Sequence, residues 1–237
     1  MAREVLDRDD RLLLVLQDYQ AVAWARLLRA DVALPLLARA RADRARRDGE
    51  EALEVVWLLH EQGLLLSAIG RYAEAEPLLR RALRISETVR GANHEDTAVL
   101  LVELGRLLLD TGRYAEAEPL LRRARAIFVT QFGSDHAYPA VSSSALAALL
   151  GATGRRAEAD VMFDHAIEVL SRTRDRTYFG PSLVRRGRYR ARLGRDAEAA
   201  ADFTAALAEF EAVGILPTQR WAREAREGLA ELGRTVE

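Results

Sequence analysis

Apolar residues recur along this chain at helical spacing, interrupted by short polar, glycine-bearing stretches. Ala75, Leu78, Leu79, Ala82 and Ile85 fall at i, i+3, i+4, i+7 and i+10, which is one face of a helix. Leu101, Leu104, Gly105 and Leu108 form a second stripe of the same kind. The pattern repeats. Residues 70–82 and 112–124 are identical, Gly-Arg-Tyr-Ala-Glu-Ala-Glu-Pro-Leu-Leu-Arg-Arg-Ala, at an offset of 42. Weaker copies begin at Gly154 and Gly194, and Ala33-Leu-Pro-Leu-Leu-Ala-Arg-Ala resembles the stretch from Ala75. The loop glycines Gly49, Gly91 and Gly133 keep the 42-residue period. A period of this length is the mark of a repeat architecture, and five units of two helices each account for most of the chain.

Glycine and alanine positions supply the geometry. Gly70, Gly112, Gly154 and Gly194 sit between the two helices of a unit, where a left-handed backbone is expected. Gly63, Gly105, Ala147 and Gly187, with Ala75, Ala117, Ala159 and Ala199, let paired helices approach closely. Pro77 and Pro119 each remove one hydrogen bond from a second helix, which predicts a mild bend.

The pattern Leu-x-x-Leu-Gly-x-x-Leu-x-x-x-Gly-x-Tyr-x-x-Ala-x-x-x-Leu-x-x-Ala from Leu101 to Ala124 resembles a tetratricopeptide repeat. The spacing of 42 and the loops Gly91 to His94 and Gly133 to His136 are similar to the longer repeat of the kinesin light chain type. The resemblance covers about residues 10–212. It implies an all-α fold: one right-handed superhelical solenoid domain over 1–237, with repeats at about 10–49, 50–91, 92–133, 134–174 and 175–212. Gln17 and Gln20 in the first unit, and Arg186 and Arg190 in the fifth, stand at apolar positions of the pattern. Residues 217–233 are expected to form a C-terminal capping helix, with Trp221, Ala225, Leu229 and Leu232 on one face and Arg220, Arg223, Glu224, Arg226 and Glu227 elsewhere. Its competing reading is a docking helix for a partner.

In this family the first helix of each pair lines a concave groove. Carried onto this chain, the groove positions are Asp18, Val22 and Arg26; Trp57, His60 and Leu64; Val99, Val102, Arg106 and Asp110; Val141, Ser144 and Ala148; and Val184, Arg188 and Arg192. Trp57 beside His60 is the candidate anchor, against the alternative that Trp57 packs as core. The family's carboxylate clamp for C-terminal tails uses lysine and asparagine. This chain has no lysine and a single asparagine, Asn93, so that mode is not expected.

Charge changes the picture at one end only. The chain of 237 residues carries 35 basic side chains, all arginine, against 36 acidic ones, a net charge of −1. That balance argues against a globally basic nucleic-acid binder. Yet residues 172–195 hold nine arginines and one acid, and the following 196–216 hold five acids and no base. Three readings stand: a neutralised helix face, a site for an acidic partner through Arg185, Arg188 and Arg192, or nucleic-acid binding, which the lack of any recognised motif disfavours. Hydrophobic content is 49% and aromatic content 6%, so the core is built from Leu, Ala and Val.

No catalytic constellation, metal spacing or cofactor fingerprint is present, and there is no cysteine. His94 and His136 are repeat-equivalent and are expected to cap helices rather than bind metal. The expected function is a non-enzymatic protein- or peptide-binding scaffold or adaptor. The alternative is a regulatory sensor that closes on a small peptide or metabolite. With no membrane span or secretory signal, arginine in place of lysine and abundant alanine, the chain reads as bacterial and cytoplasmic. The solenoid ends, above all Leu12 to Leu16, are candidate surfaces for a homo-oligomer.

Overall fold

In a computed structural model, residues 14–25, 27–174, 176–214 and 220–234 are described, and among them every regular element is helical. The elements are α1 (14–25), α2 (Ala30–Asp48), α3 (Leu53–Ala68), α4 (Tyr72–Val89), α5 (Glu95–Asp110), α6 (Tyr114–Phe132), α7 (Ala137–Ala152), α8 (Arg156–Arg172), α9 (Phe179–Arg192), α10 (Asp196–Ala212) and α11 (Arg220–Arg234). The chain packs as two compact units, up to Glu103 and from Leu104 onward, with the boundary inside α5. The fold class is the expected one, all-α with stacked helix pairs. Arg26, Asp175 and residues 217–219 of the expected capping segment lie outside the described residues, as do Leu12 and Leu13 of the N-terminal apolar run. Val15 and Leu16 of that run are exposed.

Within the first unit, α2 packs on α3 and α3 on α4. Ala21, Val22, Leu37, Leu58 and Leu65 form a shared core. A Cβ at Gly63 would meet the Leu79 side chain at 2.7 Å, so this helix pair closes only because position 63 has no side chain. In the second unit Gly105 bears the same relation to Leu121, again at 2.7 Å. Here α7 packs against α6, α8 and α9, and α9 against α10.

The turn glycines take the left-handed backbone expected of them. Gly112 has φ +75° with open space around its Cβ position. An alanine there meets backbone strain alone, so Gly112→Ala is expected to lower stability by about 1 kcal/mol in urea denaturation. The helices α4 and α6 run on through Pro77 and Pro119. His94 and His136 do cap helices: Nδ1 of His94 accepts from the Asp96 N–H at 3.1 Å, and Nδ1 of His136 from the Tyr138 N–H at 3.3 Å.

Equivalent junctions are stabilised in different ways. Around His94, Ser86 hydrogen-bonds Thr97 at 2.9 Å and Arg90 pairs with Asp96 at 3.3 Å. Around His136, the matching positions carry rings. Phe128 stacks on Tyr138 with centroids 5.3 Å apart, and Phe132 on His136 at 4.7 Å.

Candidate binding face

The residues expected to line a groove divide between the two units. In the first unit Asp18 and Val22 are buried. Two guanidinium nitrogens of Arg44 donate to one Asp18 oxygen, at 2.7 and 2.8 Å, while the other Asp18 oxygen is buried without a partner among the described residues. Trp57 is half-buried, packed on the α1–α3 core and tilted against Tyr19 with centroids 5.7 Å apart. His60 and Leu64 are half-buried on α3, and the His60 Nε2 is buried without a hydrogen-bond partner among the described residues. Val99 is half-buried and Val102 buried on α5.

The second unit brings several predicted residues together. Its floor is made by the end of α5, with Arg106 and Asp110, and by α9, with Arg185 and Arg188, both of which α11 contacts. Ser144 and Ala148 lie on α7, which packs against α9; Ser144 and Val184 are buried, and Val141 and Ala148 half-buried. The first turn of α11 rests on this floor. Arg220 donates to Asp110 at 2.5 Å and to Glu224 at 2.7 Å. Arg188 donates to the other oxygen of Glu224 at 2.9 Å. The Trp221 ring lies under the guanidinium groups of Arg185, at 4.7 Å, and Arg106, at 5.1 Å, close enough for cation–π attraction. Burial opposes the Arg220 charge, but Asp110 and Glu224 outweigh it and strengthen the protonated form.

Sequence reasoning missed this contact. It placed Arg220 and Glu224 on a polar face away from the packing stripe. In the fold their side chains are only 12% and 14% exposed, because α5 and α9 offer each the opposite charge. The available signal was weak: an Arg–Trp pair followed by a carboxylate one helical turn on.

The arginine cluster is mostly paired inside the unit. Arg186 and Arg190 converge on buried Asp202 at 2.7 and 2.9 Å. Arg176 binds Glu209 with two hydrogen bonds of 2.8 Å, which hold that carboxyl below the usual range. Arg195 pairs with Asp160 at 2.9 Å, and Arg172 with Glu168 at 3.3 Å. Asp202 stands where other units have Leu78, Leu120 and Met162. The arginines at apolar pattern positions thus face an acid that replaces a leucine. Of the proposed anion-binding set, Arg185 is buried beside Trp221, Arg188 holds Glu224, and Arg192 is exposed.

The tetratricopeptide repeat family model matches residues 18–88, 54–128 and 96–172, together more than half of the chain. The chain belongs to the tetratricopeptide repeat family. Solved structures place this tetratricopeptide repeat protein beside others of the same fold. Nearly identical TPR-like repeats of a kinesin light chain-like protein of Podosopora anserina match with TM-score 0.63 and 22% identity, over 85% of this chain and 96% of that one. BtubC of P. vanneervenii matches with TM-score 0.54 and 18% identity, over 85% and 92%. A Rap protein complexed with Competence and Sporulation Factor matches with TM-score 0.62 and 14% identity, over 94% of this chain and 65% of that one. At these identities the likeness is one of fold. No curated protein matches the sequence.

Proposed function

We propose that this tetratricopeptide repeat protein is a non-enzymatic scaffold or adaptor that captures a protein or peptide on the face lined by the first helices of its pairs. The observation that carries this reading is the seat of α11. The face around Arg106, Asp110, Arg185 and Arg188 already holds a polypeptide segment, through an ion pair, a shared carboxylate and a ring within cation–π reach of two guanidinium groups. Trp and Arg side chains, which meet here, are enriched at the centres of protein interfaces. The Rap protein of the same fold is described in complex with Competence and Sporulation Factor, which supports capture of a separate factor as a use of this fold.

Nucleic acid is the weaker reading. Binding to a polyanion draws on unpaired cations, and six of the nine arginines in 172–195 pair with acidic side chains of this chain. No helix among the described residues is long and apolar enough to cross a membrane. A bacterial cytoplasmic setting is part of this proposal, resting on the arginine-only basic composition.

The test is affinity capture from extracts of the source cells with the native chain and with Arg188→Glu/Arg192→Glu, two exposed positions whose reversal spares the core. At least one captured protein should fall about tenfold in the variant. An unchanged captured set, with helix content preserved by circular dichroism, would remove the face assignment.

A further inference from the structure

We propose that α1 is the contact helix of a two-fold symmetric dimer, in which its outward stripe pairs with the same stripe of a second copy of this chain. The inference goes beyond the scaffold reading and concerns a different surface.

The helix α1 is apolar on two faces. Ala21, Val22 and Ala25 are buried in the core of the first unit. On the opposite side, Leu16, Tyr19, Ala23 and, in the turn that follows, Leu27 fall at i, i+3, i+7 and i+11, and all four are exposed. That is the spacing with which paired helices meet. The one charged residue of α1 is Asp18, which is buried and bound to Arg44. A helix that is apolar all round belongs in an interior, and α1 is covered on one side alone among the described residues. Exposed large apolar side chains also concentrate here. Val15, Leu16, Tyr19 and Leu27 lie at this end, whereas Val89, Val161 and Val213 stand singly elsewhere, as surface valines ordinarily do.

The repeat shows what this stripe is shaped to meet. One period of 42 residues on, Leu16 and Ala23 correspond to Leu58 and Leu65, and one further period on to Leu100 and Leu107. All four leucines are buried, and Leu58 and Leu65 share a cluster with Ala21 and Leu37 of the preceding α1–α2 pair. These positions therefore take an uncharged helical surface across them. The outer side of α11 does not offer one. Arg223, Arg226, Glu227 and Glu231 are exposed there, and an uncharged stripe would strip their water without returning a partner charge. Head-to-tail stacking of copies is thereby disfavoured. The α1 stripe of a second copy is uncharged and has the same spacing, and a two-fold axis sets it against itself in a contact that closes.

Sedimentation velocity of the full chain over a range of micromolar concentrations tests this, and the native chain should dimerise. Leu16→Glu/Ala23→Glu sets like charges against each other from both copies and should raise the dimer Kd about 100-fold. Both positions are exposed, so the core is spared, and circular dichroism checks that helix content is kept. The chain has no cysteine, so Ala23→Cys, near the middle of the stripe, should give a covalent dimer with a short bismaleimide. Mixed with Arg223→Cys chains, it should still link mainly to itself. A native chain that stays monomeric overturns the inference, as does a dimer that ignores the two glutamates. A main product joining Ala23→Cys to Arg223→Cys makes the contact head-to-tail and also overturns it.

Discussion

Replacing Phe203 with alanine lowers the stability of the second unit by about 3–5 kcal/mol, the usual cost of emptying a fully buried phenylalanine site. Phe203 is 1% exposed. Its ring fills the space between three helices: a Cβ at Gly187 of α9 would lie 2.8 Å from one edge, and a Cβ at Gly228 of α11 would lie 2.5 Å from the other. Two glycines have made room for one ring, so no neighbouring side chain is placed to refill the cavity. The loss therefore includes the transfer of the ring and the void it leaves. It should also be local in its signature. Hydrogen exchange of α11 amides is expected to accelerate more than that of α6 or α8, because α11 loses its main apolar anchor. Uniform acceleration across the second unit would show that Phe203 supports the unit as a whole.

Removing Asp18 has the second large effect, in the first unit. Asp18→Ala is expected to cost about 3 kcal/mol, since it strands a buried guanidinium. The figure sits at the low end because Asp48 remains 3.6 Å from Arg44. The double change Asp18→Leu/Arg44→Met should recover most of the loss, as two apolar side chains avoid the desolvation that the ion pair must overcome. Failure of the double variant to recover would mean that the pair itself, rather than its completeness, stabilises α1 on α2. Burial pushes the Asp18 carboxyl above its ordinary value, against the pull of the Arg44 hydrogen bond and charge. A raised folded value means the folded chain keeps a proton that the unfolded chain has lost. This contribution to stability is complete below the ordinary carboxylate range and disappears as pH rises through the folded value. Asp18→Asn should flatten that slope, which urea titrations at a series of pH values would register.

Much of the fold was legible because each unit meets the same packing problem with the same residue types. Small residues at Gly63 and Gly105 face Leu79 and Leu121, and turn glycines such as Gly112 carry a left-handed backbone. These are local demands, so they recur at a fixed period. The proposed binding face was only partly legible. Arg106, Asp110 and Arg188 could be placed on it from the family pattern, but Arg220, Trp221 and Glu224 could not. The same limit applied to Arg186 and Arg190. They read as departures from an apolar stripe until Asp202 was found opposite them, in place of a leucine.

By itself the sequence determined the helix pairs, their close approaches, their turns and the family. All of these follow from periodicity and side-chain size within a few dozen residues. Only the tertiary structure decided which charges meet. An ion pair depends on the rotation and placement of two helices, and residues 110 and 220 carry no mark of each other along the chain. The arginines of 172–195 were therefore visible as a cluster in the sequence, but as internal partners only once α9, α10 and α11 had packed.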